Sequence, residues 1–280
     1  MIYGSKKVCP IVRMENQKLN LTDTDEIPLE AAEFVKTFGK TLIVAPHPDD
    51  ESLGCGGAIA LLRKFEIEVS ILVLSDGTLS HPNSRKFPKE KLRDLREKEL
   101  KNAAEILGVK SENLTFFRYL DRSVPNINSS EFSAAVERCQ KYLAQIAPQT
   151  IFVPWRRDPH PDHCAAYQLL TAAKTENQQI IEYPIWLYEL AESDNAPLKT
   201  EVSAFRLDIT SVVETKQQAI RAHHSQTTDL IDDDPHGFRL SEQVLQNFAV
   251  PFEIYLCSNL RRSNKTEARS GLERNPSRLQ

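Results

Sequence analysis

A short apolar run that ends in a cluster of metal-ligand residue types constrains this chain more than any other feature of its sequence. Thr41 to Ala45 is apolar and partly β-branched, which is typical of a fully buried strand. Pro46 and Pro48 end its hydrogen-bonding ladder because proline has no N–H to donate. A helix is predicted to follow over Ser52 to Arg63. A strand that leads directly into a helix predicts a βα unit of an α/β fold, with the turn at the carboxyl edge of the sheet.

This turn carries His47, Asp49, Asp50 and Glu51, all of them residue types that bind metal ions. Three adjacent carboxylates raise each other's pKa unless a cation or solvent compensates them. His47 and Asp50 offer an imidazole nitrogen and a carboxylate oxygen, a combination that zinc accepts, and their spacing lets both reach inward. Taken alone, the motif is equally consistent with a solvated turn whose aspartate caps the helix.

A second cluster of the same kind follows Thr150 to Pro154, another predicted strand. Its sequence is His160-Pro-Asp-His163, and it continues into a predicted helix. Turns that follow parallel strands lie along one edge of a sheet, so the two clusters can converge. Catalytic zinc commonly has three protein ligands and an open position for water, and His47, Asp50 and one of these two histidines complete such a set. A surface loop with a capping aspartate is the alternative.

Strands and helices alternate along most of the chain. Further strands are predicted over Glu68 to Ser75 and Leu114 to Arg118, with helices over Lys89 to Leu107 and Glu131 to Ile146. The order βαβαβαβ predicts an α/β protein with a mostly parallel sheet, because a parallel crossover needs a connection of helix length. The later predicted elements are strands over Ile180 to Glu189, Arg206 to Ile209 and Phe252 to Cys257, and a helix over Val212 to His224.

The 280 residues are 40% hydrophobic and 26% charged, which supplies enough apolar side chains for one sizeable core. No break in composition divides the chain, so we predict an N-terminal extension (1–28), a single domain (29–260) and a basic, disordered tail (261–280). A net charge of −4 argues against a nucleic-acid partner. The sequence contains neither a transmembrane segment nor a secretory signal, so a cytoplasmic protein is expected. The sequence is compatible with a homo-oligomer and does not determine the oligomeric state.

Together, Ala45-Pro-His-Pro-Asp-Asp-Glu51 and His160-Pro-Asp-His163 resemble the paired signatures of the PIG-L/LmbE-like zinc de-N-acetylases. This family includes N-acetylglucosaminyl-phosphatidylinositol deacetylases and the deacetylases of mycothiol and bacillithiol synthesis. The resemblance covers roughly residues 40–226 and implies a Rossmann-like three-layer α/β/α sandwich. Further matches are Arg96 and Glu99 in the long helix, Asp121 after the third strand, and Lys216 through Gln226.

The resemblance implies a hydrolase that removes an acetyl group from an N-acetylated amino sugar, such as an N-acetylglucosamine conjugate, by means of zinc-activated water. It implies His47, Asp50 and His163 as metal ligands, Asp49 as general base and a protonated His160 as the group that stabilises the oxyanion. Asp162 is expected to orient His160, with helix capping as its alternative. The expected substrate contacts are Arg96, Asp121 and His223. Iron or another divalent ion is an alternative to zinc, since nitrogen and oxygen donors suit several metals.

Two other functional classes remain open. Leu53-Gly-Cys-Gly-Gly57 follows a strand and opens a helix, as in a Rossmann-type nucleotide or methyl-donor binding protein. Its spacing is not Gly-x-Gly-x-x-Gly, however, and the preceding carboxylates would repel a phosphate. A non-catalytic, metal-dependent sugar-binding module is the other alternative, although binding alone needs no base such as Asp49. Residues 227–260, which include Asp232-Asp-Asp-Pro-His236, match no part of the family pattern and leave the substrate open.

Overall fold

The computed structural model describes Lys18, Leu21 and residues 25–26, 31–189 and 194–259. The strands are β1 (Asp25–Glu26), β2 (Thr41–Ala45), β3 (Val69–Ser75), β4 (Leu114–Tyr119), β5 (Thr150–Pro154), β6 (Gln179–Tyr183), β7 (Val202–Asp208) and β8 (Phe252–Ser258). The helices are α1 (Ala31–Lys36), α2 (Asp50–Lys64), α3 (Lys89–Ile106), α4 (Phe132–Ile146), α5 (Pro161–Ala173), α6 (Val213–Ala222), α7 (His224–Thr227) and α8 (Glu242–Gln246). Most of the predicted extension and all of the predicted tail lie outside the described residues. Among the helices described, none has the length and apolar character needed to cross a bilayer.

The strands form one sheet in the order β1-β7-β8-β6-β5-β2-β3-β4. From β6 to β4 the neighbouring strands are parallel, whereas β8 runs antiparallel to both β6 and β7. The predicted α/β class is confirmed, but the sheet is mixed rather than mostly parallel. The sequence pattern does not reveal this because a short apolar run carries no signal for the direction of its strand.

Helices cover both faces of the central strands. Ile43 of β2 packs in a core cluster with residues of α2, α3 and α6. Its neighbours Leu42 and Val44 pack on the opposite face with residues of α4 and α5. Every residue of β2 and β5 is buried, which explains why both strands are continuous apolar runs in the sequence.

The glycines of α2 allow the helix to pack closely against its neighbours. A Cβ atom at Gly54 would overlap the ring of Tyr183, and one at Gly57 would overlap the side chain of Ile209. The glycine-rich stretch is therefore buried against protein, and it does not form the open cradle that a nucleotide phosphate needs.

The central pairing brings the two sequence motifs together. β2 and β5 are adjacent and in parallel register, with Thr41 opposite Thr150 and Ile43 opposite Phe152. The turns that follow both strands therefore reach the same edge of the sheet. The next helices begin at Asp50, two residues before the predicted Ser52, and at Pro161, within the second cluster. Several of the metal-ligand residue types therefore lie in the first turn of a helix.

The strand predicted over Ile180 to Glu189 is shorter in the structure. It ends at Tyr183 and is followed by a 3-10 turn over Trp186–Tyr188. Pro184 cannot donate a ladder hydrogen bond, which explains the early end of the strand. The turn places Trp186 at the same sheet edge as the two motifs.

Candidate metal centre and active site

A cavity of about 570 Å³ lies at the carboxyl edge of the sheet. Its lining includes His47, Asp49 and Asp50 after β2, Arg96 of α3, Asp121 after β4, and His160 and His163 after β5. Both motifs thus open into one space, at the edge where open α/β sheets bind ligands.

His47, Asp50 and His163 form a buried cluster beside this cavity. Asp50 Oδ2 lies 3.2 Å from His47 Nδ1 and 3.3 Å from His163 Nε2. Ligand atoms of His47, His160 and His163 also lie within 4.8 Å of one another. Side chains from the turns after β2 and β5 are therefore in direct contact.

The donor atoms of this cluster fit a divalent cation. Both ring nitrogens of His163 are buried without a hydrogen-bond partner. They face only carboxylates, Asp50 on one side and Asp158 Oδ1, at 3.1 Å from Nδ1, on the other. A cation among His163 Nε2, His47 Nδ1 and Asp50 Oδ2 would give the unpartnered His163 nitrogen a ligand bond, while the His47 backbone N–H holds Asp50 Oδ2 in place at 2.9 Å. Two nitrogens with one oxygen suit zinc or iron. Asp158 then holds the far side of the His163 ring, as carboxylates behind ligand histidines commonly do.

A second group of ligand-type residues lies on the other side of the His47 ring. His47 Nε2 is 3.1 Å from Asp162 Oδ2 and 3.4 Å from Asp121 Oδ1, and the ligand atoms of these three residues lie within 4.8 Å of one another. However, Asp162 already accepts the backbone N–H groups of Arg122 at 2.7 Å and Val124 at 3.2 Å. These bonds explain the second group as hydrogen-bonding support for the His47 ring.

The surrounding carboxylates control the protonation of both ligand histidines. Burial lowers the pKa of His163, but Asp50 and Asp158 outweigh it and raise the pKa to about 9. Burial also lowers the pKa of His47, and carboxylates led by Asp121 raise it well above its usual value. Both rings are therefore cationic at neutral pH when no ion is bound.

Metal binding is accordingly expected to release protons. A ligand imidazole must be neutral, so an incoming ion has to displace the proton that His163 holds below its pKa. The apparent zinc affinity should rise by about tenfold per pH unit for each proton released, and level off near the pKa of His163. Calorimetric zinc titrations in buffers of different ionisation enthalpy measure both quantities. An affinity that does not change with pH would contradict this assignment.

Asp49 has a strained backbone held by a buried network. Its φ of 143° and ψ of −27° lie in a region that disfavours non-glycine residues. Its N–H donates to Glu51 Oε2 at 3.1 Å, while Glu51 Oε1 lies 2.9 Å from His223 Nε2 and accepts Ser52 Oγ–H at 2.7 Å. The Asp49 side chain makes no helix-capping hydrogen bond. The capping alternative therefore does not explain this aspartate.

Arg96 lies beside the Asp49 carboxylate. Its Nη2 is 3.2 Å from Asp49 Oδ2 and donates to the Pro48 carbonyl at 2.7 Å, and its Nη1 donates to the Gly77 carbonyl at 2.8 Å. Burial raises the pKa of Asp49 to about 6 against the opposing charge of Arg96. Arg96 lines the cavity as predicted for a substrate contact, but most of its guanidinium is used to hold Asp49 and this turn.

The surroundings of His160 favour a neutral ring when no ion is bound. Its Nδ1 accepts the N–H of Asp162 at 3.2 Å, so a neutral ring carries its proton on Nε2. Burial and the charges of His47 and His163 lower its pKa to about 4. This direction is opposite to the protonated ring that we predicted for His160, and it applies to the chain without a metal ion. The Asp162 carboxylate does not accept from His160 either, because it is taken by His47 and the Arg122 backbone.

The other two predicted substrate contacts have different outcomes. His223 is 1% exposed and lies against Glu51 and Ser52, so it supports the Asp49 network and does not reach the cavity. Asp121 lines the cavity. Burial raises its pKa, but the adjacent His47 lowers it to about 2, so this carboxylate is ionised.

Two parts of the site are absent from the sequence prediction. Asp158 contacts the His163 ring, and its position shortly before a ligand-type histidine is a signal that could have identified it. The second part comprises the cavity-lining residues His236, Phe238 and Leu240 together with Trp186. These residues have no periodicity and no recognisable spacing.

The chain is similar in sequence and in fold to known deacetylases. The family model described as PIG-L, GlcNAc-PI de-N-acetylase, matches residues 42–174, which contain both motifs. A probable N-acetyl-alpha-D-glucosaminyl L-malate deacetylase 2 from Bacillus anthracis is 29% identical over 201 residues, which is 69% of this chain and 83% of that protein. The structure of an N,N'-diacetylchitobiose deacetylase from Pyrococcus horikoshii is 26% identical, with a TM-score of 0.56 over 72% of this chain and 78% of that one.

The fold alone does not determine the reaction. A 4-carboxy-2-hydroxymuconate hydratase from Pseudomonas putida is 21% identical and has a TM-score of 0.53 over 86% of this chain and 100% of its own. Similar folds thus occur in proteins named for unrelated reactions, and the reaction has to be argued from the side chains at the sheet edge.

Proposed function

We propose that this chain, whose residues 42–174 match the PIG-L, GlcNAc-PI de-N-acetylase model, is a metal-dependent N-deacetylase of N-acetylated amino sugars. The substrate class is an N-acetylglucosamine-type conjugate, in agreement with the names of its deacetylase relatives. One observation carries the proposal: Asp49, a carboxylate with a pKa of about 6, shares a cavity with a His–Asp–His cluster that fits a divalent ion. Binding alone would need no such base.

His47, Asp50 and His163 are the proposed ligands, and zinc is the proposed ion, with iron or another divalent metal as the alternative. When bound, such an ion lowers the pKa of water and polarises the acetamide carbonyl. The contact of Asp158 with His163 and that of Asp162 with His47 fix the orientation of both rings.

Asp49 is the proposed general base. A carboxylate whose pKa lies near the working pH can accept a proton from the attacking water and later return it to the leaving amine nitrogen. Arg96 keeps this carboxylate ionised and oriented at 3.2 Å. Glu51, held by His223, fixes the strained backbone of Asp49 through its N–H.

His160 is proposed to stabilise the oxyanion as a neutral donor. The backbone N–H of Asp162 occupies Nδ1, which leaves Nε2–H free to donate to the carbonyl oxygen as negative charge develops. Asp121, ionised and on the cavity wall, is proposed to accept a hydrogen bond from a sugar hydroxyl.

We further propose that the fold is a Rossmann-like three-layer sandwich, which the two core clusters on opposite faces of the sheet support. The single domain over 29–260, the compartment and the oligomeric state stay predictions.

An assay of amine and acetate release tests the proposed deacetylase activity. Purified protein with added zinc is expected to release free amine and acetate in equal amounts from N-acetylglucosamine glycosides, and a chelator should stop both. Binding of these sugars without amine release would favour the non-catalytic module. Amine release that continues under chelation would remove the metal from the mechanism.

A further inference from the structure

The cavity has a distinctly apolar side. We define the apolar wall as Leu79, Ile185, Trp186, Phe238 and Leu240, all of which line the cavity. Within this wall, Leu79 is 42% exposed and Phe238 is 40% exposed. Apolar residues left open to solvent within a concave site are typical of a surface that a ligand covers.

The segment that supplies much of this wall is tied down by carboxylates. Asp233 accepts the backbone N–H groups of Arg85 at 2.8 Å and Lys86 at 2.9 Å. Asp234 accepts the N–H of Asn83 at 2.8 Å. The stretch Asp232-Asp-Asp, which matches no part of the family pattern, therefore attaches this segment to the loop that follows β3.

The wall residues are also held individually. The N–H of Phe238 donates to the Ser80 carbonyl at 2.6 Å, and that of Leu240 donates to the Gln226 carbonyl at 2.9 Å. The Phe238 ring meets the Trp186 ring edge-on, with centroids 5.8 Å apart and planes at 75°. A surface fixed in this way loses little conformational entropy when a ligand packs on it.

The polar lining residues divide into those that the proposed reaction uses and four others, Ser80, Arg122, Gln226 and His236, of which Gln226 donates to Ser80 at 3.4 Å. The acetamide needs Asp49, His160 and the ligand cluster, and a sugar hydroxyl can use Asp121. The aliphatic and aromatic side chains of the wall offer no partner to further hydroxyl groups. A polar group placed against them would lose its hydration without compensation.

Because the catalytic groups lie on one side of the cavity lining and the apolar wall supplies another, we propose that the substrate carries an apolar aglycone. This aryl or alkyl group packs against Phe238 and Trp186. The inference rests on the proposed deacetylase function and makes its substrate class more specific. Arg122 also lines the cavity, and its guanidinium has no hydrogen bond or ion pair within the part of the chain described here. An anionic aglycone bound by Arg122 is therefore the competing outcome.

The experiment compares three glycosides of N-acetylglucosamine, in both anomeric forms: methyl, phenyl and 4-carboxyphenyl. With the zinc-loaded wild-type protein, kcat/KM for the phenyl glycoside should exceed that for the methyl glycoside by about tenfold, the effect of burying one aromatic group. The 4-carboxyphenyl glycoside should be no better than the methyl glycoside. This comparison needs no variant.

A pair of variants tests the location. Phe238→Ala should lower kcat/KM for the phenyl glycoside by about tenfold and change that for the methyl glycoside less than twofold. The matched control is Leu230→Ala, since Leu230 is 43% exposed and is not among the cavity-lining residues. This control should leave both values unchanged.

Several results would overturn the inference. Equal kcat/KM for methyl and phenyl glycosides would show that the wall does not select an aglycone. An equal loss on both substrates in Phe238→Ala would show that the ring stacks on the sugar itself. A preference for the 4-carboxyphenyl glycoside that Arg122→Gln abolishes would show an anionic aglycone. All three leave the deacetylase intact, whereas no amine from any glycoside removes the proposed function and this inference with it.

Discussion

Asp49→Asn is expected to lower kcat by about 10²- to 10⁴-fold while the protein keeps its bound metal, because an amide of the same shape cannot accept the proton of the attacking water. The substitution keeps the size of the side chain and one oxygen for Arg96, which lies 3.2 Å away. The measurement pairs kcat with elemental analysis of the metal. Loss of activity with full metal content separates the base from the ligands.

The control for this variant is Asp208→Asn, which changes an exposed carboxylate that accepts hydrogen bonds from Thr210. Its kcat should stay within about twofold of the wild type. If Asp49→Asn were as active as this control, Asp49 would not be the base, and another group in the cavity would have to take the proton.

His163→Ala is expected to abolish stoichiometric metal binding and to destabilise the protein. The ring is fully buried between Asp50 at 3.3 Å and Asp158 at 3.1 Å. Removing it leaves the buried Asp158 carboxylate without a counter-charge and Asp50 with His47 alone, and breaking a buried ion pair in this way typically costs about 3–5 kcal/mol in the free energy of unfolding. Urea unfolding of the metal-free proteins and zinc titration of the folded ones measure the two effects.

His224→Ala is the matched control, since His224 is exposed at the start of α7. It should retain wild-type zinc affinity and unfolding free energy. Where His163→Ala is too unstable to titrate, His163→Gln gives a polar side chain in the same place and should still bind zinc more weakly. Wild-type affinity in either variant would show that His163 is not a ligand.

The parts of the fold that could be predicted are the elements whose bounds follow from residue type, namely apolar runs that are buried and prolines that end a strand. β2 and β5 have the predicted bounds because both of their faces are buried and each run ends at proline. The convergence of the two motifs follows from parallel pairing. The direction of β8 does not follow in this way, since a strand reversed in the sheet has the same apolar pattern.

Within the site, the residue types were predictable and the orientations were not. Asp162 was expected to face His160. Its carboxylate instead accepts two backbone N–H groups and lies within hydrogen-bond distance of His47. His223 was expected near the substrate, but the packing of α6 and α7 against α2 and α3 turns it towards Glu51. The hydrogen-bond partner of each of these side chains depends on which residues tertiary packing brings near it. The pattern of a single sequence does not give the distances between residues that are far apart in the chain.

The wall from the segment before α8 could not be predicted for a related reason. Phe238 and Leu240 are single apolar residues in an irregular stretch, so neither helical nor strand periodicity marks them. Their position depends on hydrogen bonds between Asp233 and Asp234 and a loop far away in the sequence.

The most direct test of the proposed metal centre is diffraction at the zinc absorption edge from crystals of the zinc-loaded protein. We predict one anomalous peak at about 2.0–2.2 Å from His47 Nδ1, Asp50 Oδ2 and His163 Nε2, with Asp49 beside it and free of the ion. A peak among His47, Asp121 and Asp162, or none within bonding distance of His163, would contradict it.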